Sequence, residues 1–203
     1  MSAIGNATTG TVTVSNAIKI SGTQSQLTAA LVTEASKVTA STALVTITDN
    51  AFANTNSTIE ASDLKNIGNA TSGAVTVTTA IFITCSQSDV SAALVTEASK
   101  VTASTAIVNI TDNAFANTNS TIEASDLSAI GNATTGTVTV SNAIKISGSQ
   151  SDVTAALVTE SSKVVAGASD TIVNVTDAVT AAQGHAIAAV SNVKVVFERG
   201  PIS

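Results

Sequence analysis

One stretch returns at a fixed interval and limits the fold more than any other feature of the chain. Gly10-Thr11-Val12-Thr13-Val14-Ser15-Asn16-Ala17-Ile18-Lys19-Ile20-Ser21 reappears in altered form from Gly73 to Thr84 and almost unchanged from Gly136 to Ser147, 63 residues apart each time. The residues between repeat with it. Ala29 to Ala43 matches Ala92 to Ala106 residue for residue, and Thr48 to Leu64 matches Thr111 to Leu127. The units run over residues 2–64, 65–127 and 128–166, and residues 167–203 diverge after a two-residue insertion around Ser169-Asp170. A repeat of this length signals a stacked architecture.

Each unit divides again into halves of 31 or 32 residues, about six in the chain. In the first half, Val12 and Val14 alternate with Thr11, Thr13 and Ser15, the period of a half-buried strand. Ser15-Asn16 marks a turn, and Ile18 and Ile20 flank Lys19 in a second, short strand. Leu27, Leu31, Ala35 and Val38 follow at helical spacing, with Ser25 or Thr23 as N-cap. In the third unit Asp152 reinforces that helix start. In the second half, Val45 and Ile47 form the strand and Asp49-Asn50 turns the chain. Phe52 is apolar, and Asn54-Thr55-Asn56-Ser57 breaks the segment. Ser57-Thr58-Ile59-Glu60 reads as a capping box. Ala61, Leu64 and Ile67 then supply a buried helical stripe that Gly68-Asn69 ends.

Strands joined through a helix in so few residues are parallel neighbours. The expected fold is therefore α/β: one parallel α/β-solenoid spanning 1–203, with strand, turn, short strand and helix in each of about six coils. Composition suits it. Hydrophobic residues make up 44% and aromatics only 2%, so Ala, Val, Ile and Leu must build thin, regular layers. Strands stack ~4.8 Å apart and helices ~8–10 Å, so such a stack must bend or twist. The N-terminal residues 2–6 match only the tail of a helix, as expected of a piece taken from a longer array. At the other end Thr180 to Asn192 reads as a helix and Val193 to Glu198 as a final strand, closed by Arg199-Gly200-Pro201. This region is the expected cap.

Few residues carry chemistry. Net charge is −6 with only eight Lys and Arg, in no cluster, which argues against nucleic acid as a partner. No apolar run reaches the ~18 residues of a membrane span, so no insertion is expected. Cys85 is the only cysteine and stands where the other units have Gly22 and Gly148, which reads as a turn substitution; an intermolecular disulfide is the sharper alternative. His185 is the only histidine and has no nucleophile to serve, so no catalytic residue is assigned and the chain is expected not to be an enzyme. Glu60 with Asp63, and Glu123 with Asp126, read as a solvated helix face. Calcium has neither an EF-hand loop nor a Gly-Gly-x-Gly-x-Asp repeat to hold it, and no cofactor or metal ligand is assigned. Asn16, Asp49, Asn50, Asp112, Asn113, Asn142 and Asp177 recur at turns, where their side chains would bond the adjacent turn. Asn-x-Ser/Thr triplets at Asn6, Asn56, Asn69, Asn109, Asn119, Asn132 and Asn174 follow from composition.

The candidate surface face is the outward side of the strands. Aligned by the repeat, Thr13, Thr46, Thr76, Asn109, Thr139 and Asn174 form one row, and Ser15, Thr48, Thr78, Thr111, Ser141 and Thr176 the next. Such hydroxyl arrays suit ice binding, although the neighbouring row of Thr11, Leu44, Ala74, Ile107, Thr137 and Ile172 holds no constant Thr. Phe82, where the other units have Lys19 and Lys145, is the one unit-specific contact candidate.

The Val-Thr-Ile-Thr-Asp and Thr-Gly-Thr-Val-Thr-Val-Ser strands, each followed by an Ala-rich helix, resemble repeats of very large secreted or cell-surface bacterial proteins, cyanobacterial and marine ones especially, from Ser2 to about Val165. The resemblance implies an extracellular or surface location and a structural or adhesive role, with no functional residues to carry over. The expected function is a non-enzymatic rigid spacer or adhesive rod, with self-association end to end through open strand edges. The alternative is an ice- or ligand-binding solenoid using the Thr-rich face.

Overall fold

The computed structural model describes residues 1–51, 58–114, 120–159, 161 and 163–198. Phe52, Ser57, Asn54, Asn56, Asn119 and the Arg199-Gly200-Pro201 close lie outside the described residues. The described chain is α/β, and every strand pairing in it is parallel.

In the first unit the elements are α1 (Ser2–Asn6), β1 (Val12–Thr13), β2 (Lys19–Gly22), α2 (Gln24–Leu27), β3 (Val38–Thr39), β4 (Leu44–Ile47), β5 (Thr58–Glu60) and α3 (Ala61–Asn69). The second unit repeats them as β6 (Val75–Val77), β7 (Phe82–Cys85), α4 (Gln87–Leu94), β8 (Val101–Thr102), β9 (Ile107–Ile110), β10 (Thr121–Glu123) and α5 (Ala124–Ala133). The third holds β11 (Val138–Val140), β12 (Lys145–Gly148), α6 (Gln150–Val153) and β13 (Val164–Ala166), and the region after residue 166 begins with β14 (Thr171–Val175). The closing region adds α7 (Ala181–Ala188) and β15 (Val193–Phe197), at the places the sequence indicates.

Apart from β14 and β15, strands do not pair with their chain neighbours. The sheets run β1-β3, β2-β4-β6-β8, β5-β7-β9-β11-β13 and β10-β12-β14-β15. All but the two-stranded sheet therefore run on from one unit into those that follow. The additional strand Thr58-Ile59-Glu60 causes this. It opens a new sheet and pairs with β7, so β6 stacks on β4 instead of on β5. The halves are unequal as a result. Val12 meets Val38 and Lys19 meets Leu44, but Val45 meets Val75 across a longer span. Helices pack in chain order, α3 on α4, α4 on α5 and α5 on α6.

One contiguous apolar cluster runs from Ile20 to Ile187. The predicted stripe is its helical half: Ala61, Leu64 and Ile67 are all 0% exposed, as are Ala124, Leu127 and Ile130. Burying each of these leucines and isoleucines contributes ~1.5–3 kcal/mol. Val45, Ile47, Val75, Val77, Ile83, Val108 and Ile110 supply the strand half.

Four local expectations are corrected. Residues 27–38 are not one helix. After Leu27 the chain widens into a π-turn over Thr28–Val32, where Thr33 N–H reaches Thr28 O at 2.9 Å, then a 3-10 turn over Glu34–Ser36. Lys37 adopts φ 52, in the left-handed region, and Val38 belongs to a strand. Lys100 and Lys163 repeat this at φ 53 and 58. The Ser36 hydroxyl, donating to Ala30 O at 2.9 Å, anchors the reversal from inside the core. Glu60 is not the third residue of a capping box; it ends a strand, and α3 begins at Ala61. Gly68 is not a left-handed terminator but lies within α3, where a Cβ would sit 2.0 Å from Ser99 O. The glycine is there because α3 touches the backbone of the next layer. Lastly, the expected pattern of a strand and a short strand before each helix is not kept throughout, since β5 and β10 are additional strands.

Candidate functional site

The polar side chains that recur in every unit converge on the joints between layers. Helices α2, α4 and α6 each open on a glutamine after a hydroxyl N-cap: Thr23, Ser86 and Ser149 accept from the third helical N–H. The glutamine N–H, unpaired within its own helix, donates to an aspartate from the following layer. Gln24 N–H reaches Asp49 Oδ2 at 2.6 Å, Gln87 N–H reaches Asp112 Oδ2 at 2.5 Å, and Gln150 N–H reaches Asp177 Oδ1 at 2.6 Å. A carboxylate at a helix N-terminus also meets the positive end of the helix dipole.

The glutamine side chains extend the joint. Nε2 of Gln24 donates to Thr28 Oγ1 at 2.9 Å and to Asp63 Oδ2 at 3.0 Å. Nε2 of Gln87 donates to Ser91 Oγ at 2.8 Å and to Asp126 Oδ2 at 3.2 Å. Asp63 and Asp126 thus bond the preceding helix, which the reading of a solvated face misses. On the far side, Thr71 Oγ1 donates to Ala43 O at 2.6 Å and Thr134 Oγ1 to Ala106 O at 2.5 Å, both threonines being buried. Thr79 Oγ1 donates to Asp49 O at 2.5 Å and Asn142 Nδ2 to Asp112 O at 2.7 Å. Asp49, Asp112, Asp177 and Asn142 therefore do bond a neighbouring segment, with one correction: Asn16, Asn50 and Asn113 show no such bond among the described residues.

The outward strand face is broken into pieces. Thr13 pairs with Thr39 in the two-stranded sheet. Thr46 and Thr76 are brought together, in a row Ser21–Thr46–Thr76–Thr102. Thr139 lies in the five-stranded sheet, in a row Glu60–Thr84–Asn109–Thr139–Val165. Asn174, in the row Glu123–Ser147–Asn174–Val196, is buried and donates to Glu198 Oε1 at 2.6 Å. The single row inferred by aligning the repeats does not exist, because the extra strand moves each unit sideways. Phe82 sits half-buried between Thr58 and Ile107.

The second unit carries its own cluster. Lys65 Nζ binds Asp89 Oδ1 at 2.9 Å, the Ser86 hydroxyl donates to Asp89 Oδ2 at 3.0 Å, and Cys85 Sγ lies 3.5 Å from the same oxygen. The hydrogen bonds from Lys65 and Ser86 hold the Asp89 carboxyl below its ordinary range, and desolvation pushes the Cys85 thiol up. A raised thiol is a poor nucleophile. His185 is exposed on α7. Among the described residues no group of His, Cys, Asp or Glu converges as a metal site, and no helix is long and apolar enough to cross a membrane.

What sequence reasoning misses is the role of Gln24, Gln87 and Gln150, of Ser36 and Ser99, and of Thr71 and Thr134. The available signal is their invariance across units at positions where a solvent-facing residue would be free to change. Comparison with protein-family models, with curated proteins and with solved structures found no match.

Proposed function

We propose that the chain is a stretch of α/β-solenoid, about six coils long, that works as a non-enzymatic structural segment: a rigid spacer or adhesive rod of an extracellular or surface protein. The observation that carries this reading is the recurring joint. The same glutamine, aspartate and threonine positions link one layer to the next in successive units. Polar groups committed to neighbouring layers resist shear between them, which a load-bearing array requires. The third strand of alternate coils supports it as well. Strands rise ~4.8 Å per layer against ~8–10 Å for helices. Opening a new sheet in each unit lets the strand side step sideways and follow the thicker helical side.

Small-angle scattering tests the reading. The chain is expected to be elongated, and a variant with residues 65–127 duplicated should be longer by roughly 10–20 Å, two layers at strand or helix spacing. A compact sphere, or an insertion that changes width instead of length, overturns it. The second reading, an ice- or ligand-binding face, rests on the Ser21–Thr46–Thr76–Thr102 row. It predicts thermal hysteresis that Thr46→Tyr abolishes.

A further inference from the structure

The helices divide the strands into successive layers: β1-β2, β3-β4-β5, β6-β7, β8-β9-β10, β11-β12 and β13-β14. Sorted by layer, the sheets overlap like courses of brick. β3 is the last strand of its sheet, and β5, in the same layer, is the first strand of another. Two layers on, β8 ends a sheet and β10 opens one. The additional strands therefore stand in the very layers where an older sheet stops.

The ladders between layers keep a constant number as a result. The first layer meets the second through β1-β3 and β2-β4. The second meets the third through β4-β6 and β5-β7, and the third meets the fourth through β6-β8 and β7-β9. The fourth meets the fifth through β9-β11 and β10-β12, and the fifth meets the sixth through β11-β13 and β12-β14. Two ladders cross each of these joints. Without β10, the joint after the fourth layer would depend on β9-β11 alone, because β8 pairs with no strand of the fifth layer. Without β5, the joint after the second layer would depend on β4-β6 alone in the same way.

The two opening strands share one design. Each sets a buried isoleucine between an exposed threonine and an exposed glutamate. Ile59 is 3% exposed and in register with Ile83; Ile122 is 2% exposed and in register with Ile146. Lys145 N–H, donating to Ser120 O at 3.2 Å, extends the second ladder beyond the strand itself. The stability of a stacked array is approximately the sum of its layers and of the interfaces between neighbours, so it parts at its weakest interface.

We propose that β5 and β10 are coupling strands: each takes over where an older sheet ends and keeps the stack one cooperative body across that joint. The inference rests on the stacked layers of the proposed segment and not on its role as a spacer.

Hydrogen exchange read by mass spectrometry across a urea series tests it on the full chain. Residues 82–110 report the layers before the joint after β10, and residues 138–158 the layers beyond it. In the parent the two stretches should lose protection together. Ile122→Pro, which cannot donate to a ladder, should part their exchange rates by about ten-fold or more at intermediate urea. Ile122→Val keeps the strand and should restore the parent behaviour. Val90→Ala thins the core at a residue that is 0% exposed but removes no ladder, so it should shift both stretches together. Coincident stretches in Ile122→Pro overturn the proposal, as does separation in the parent, in Ile122→Val or in Val90→Ala. If Ile122→Pro lacks the circular dichroism of the parent, Ile122→Gly takes its place under the same criterion. Coincident stretches in an elongated chain refute the coupling and leave the spacer reading intact, whereas a compact chain overturns the spacer reading whatever the exchange shows.

Discussion

Replacing Gly68 with alanine sets helix propensity against packing, and the two predict opposite signs. Gly68 sits inside α3 with ordinary helical backbone. On propensity alone, alanine there is better by ~1 kcal/mol. Packing says otherwise. The new Cβ would lie 2.0 Å from Ser99 O and 3.0 Å from Ser99 C, where ordinary contact begins at 3.4 Å. One layer would have to retreat by more than an ångström. Ser99 is poorly placed to do so. It is 3% exposed, its hydroxyl donates to Ala93 O at 2.6 Å, and Lys100 beside it is already in the left-handed region. Overpacking costs ~1–3 kcal/mol and more against fixed backbone, so the net loss after the propensity gain is ~2 kcal/mol. In a chain of this size that lowers the melting temperature by about 4–8 °C. Gly10→Ala is the control: its Cβ would meet only Thr8 Oγ1 at 3.8 Å, and the variant should match or slightly exceed the parent. Parallel calorimetric or circular-dichroism melts decide the matter. A Gly68→Ala chain that melts above the parent would refute the claim that α3 touches the backbone of the next layer.

Three further predictions follow from the joints and the second-unit cluster. Asp112→Ala removes the acceptor of Gln87 N–H at the start of α4 and should cost ~1–2 kcal/mol in urea unfolding, with Asp49→Ala close to it because the two sites are repeats; no shift in midpoint would mean the joint contributes nothing. Asp89 has its folded pKa lowered by the hydrogen bonds from Lys65 and Ser86, so its contribution is complete above the unfolded value of ~3.9 and is lost as pH falls through the lower folded value. Lys65→Met should therefore flatten the acid limb of stability against pH, and a limb parallel to the parent's counts against the pair. Cys85 has its thiol raised by desolvation, so iodoacetamide at pH 8 should label the folded chain more slowly than the urea-unfolded chain, and equal rates would refute the burial.

The elements were legible where a local period marks them. Val75 and Val77 alternate with Thr76, and all three behave as the period of two requires. Ala61, Leu64 and Ile67 show the helical stripe just as directly. The closing helix and strand were legible for the same reason. Thr58-Ile59-Glu60 was not, since three residues are too few to show alternation and Glu60 matched a capping pattern as well. The left-handed lysines were hidden because Leu27, Leu31, Ala35 and Val38 keep helical spacing across the break. There the buried hydroxyl of Ser36 replaces the helical bonds that the chain abandons.

The candidate face was misread through the same strand. Aligning the repeats places Thr13, Thr46, Thr76 and Thr139 side by side, which assumes that equivalent strands share a sheet. Only Thr46 and Thr76 do so as partners. The joints were half legible: the turn aspartates stood out as recurrent, but their partners, the first helical N–H groups of Gln24, Gln87 and Gln150, carry no side-chain signature.

The sequence by itself determined that this is a repeating α/β chain, with valines and isoleucines turned inward on strands and an apolar stripe on each helix. Those are properties of residues close in the chain, set by backbone period and side-chain solubility. Only the tertiary structure decided which strand lies beside which, where a glycine was needed, and which polar groups hold the layers together. Register is settled by contacts 22 to 30 residues apart, such as Thr171 with Val193 and Val45 with Val75. Three residues inserted as a strand change those contacts for every layer that follows.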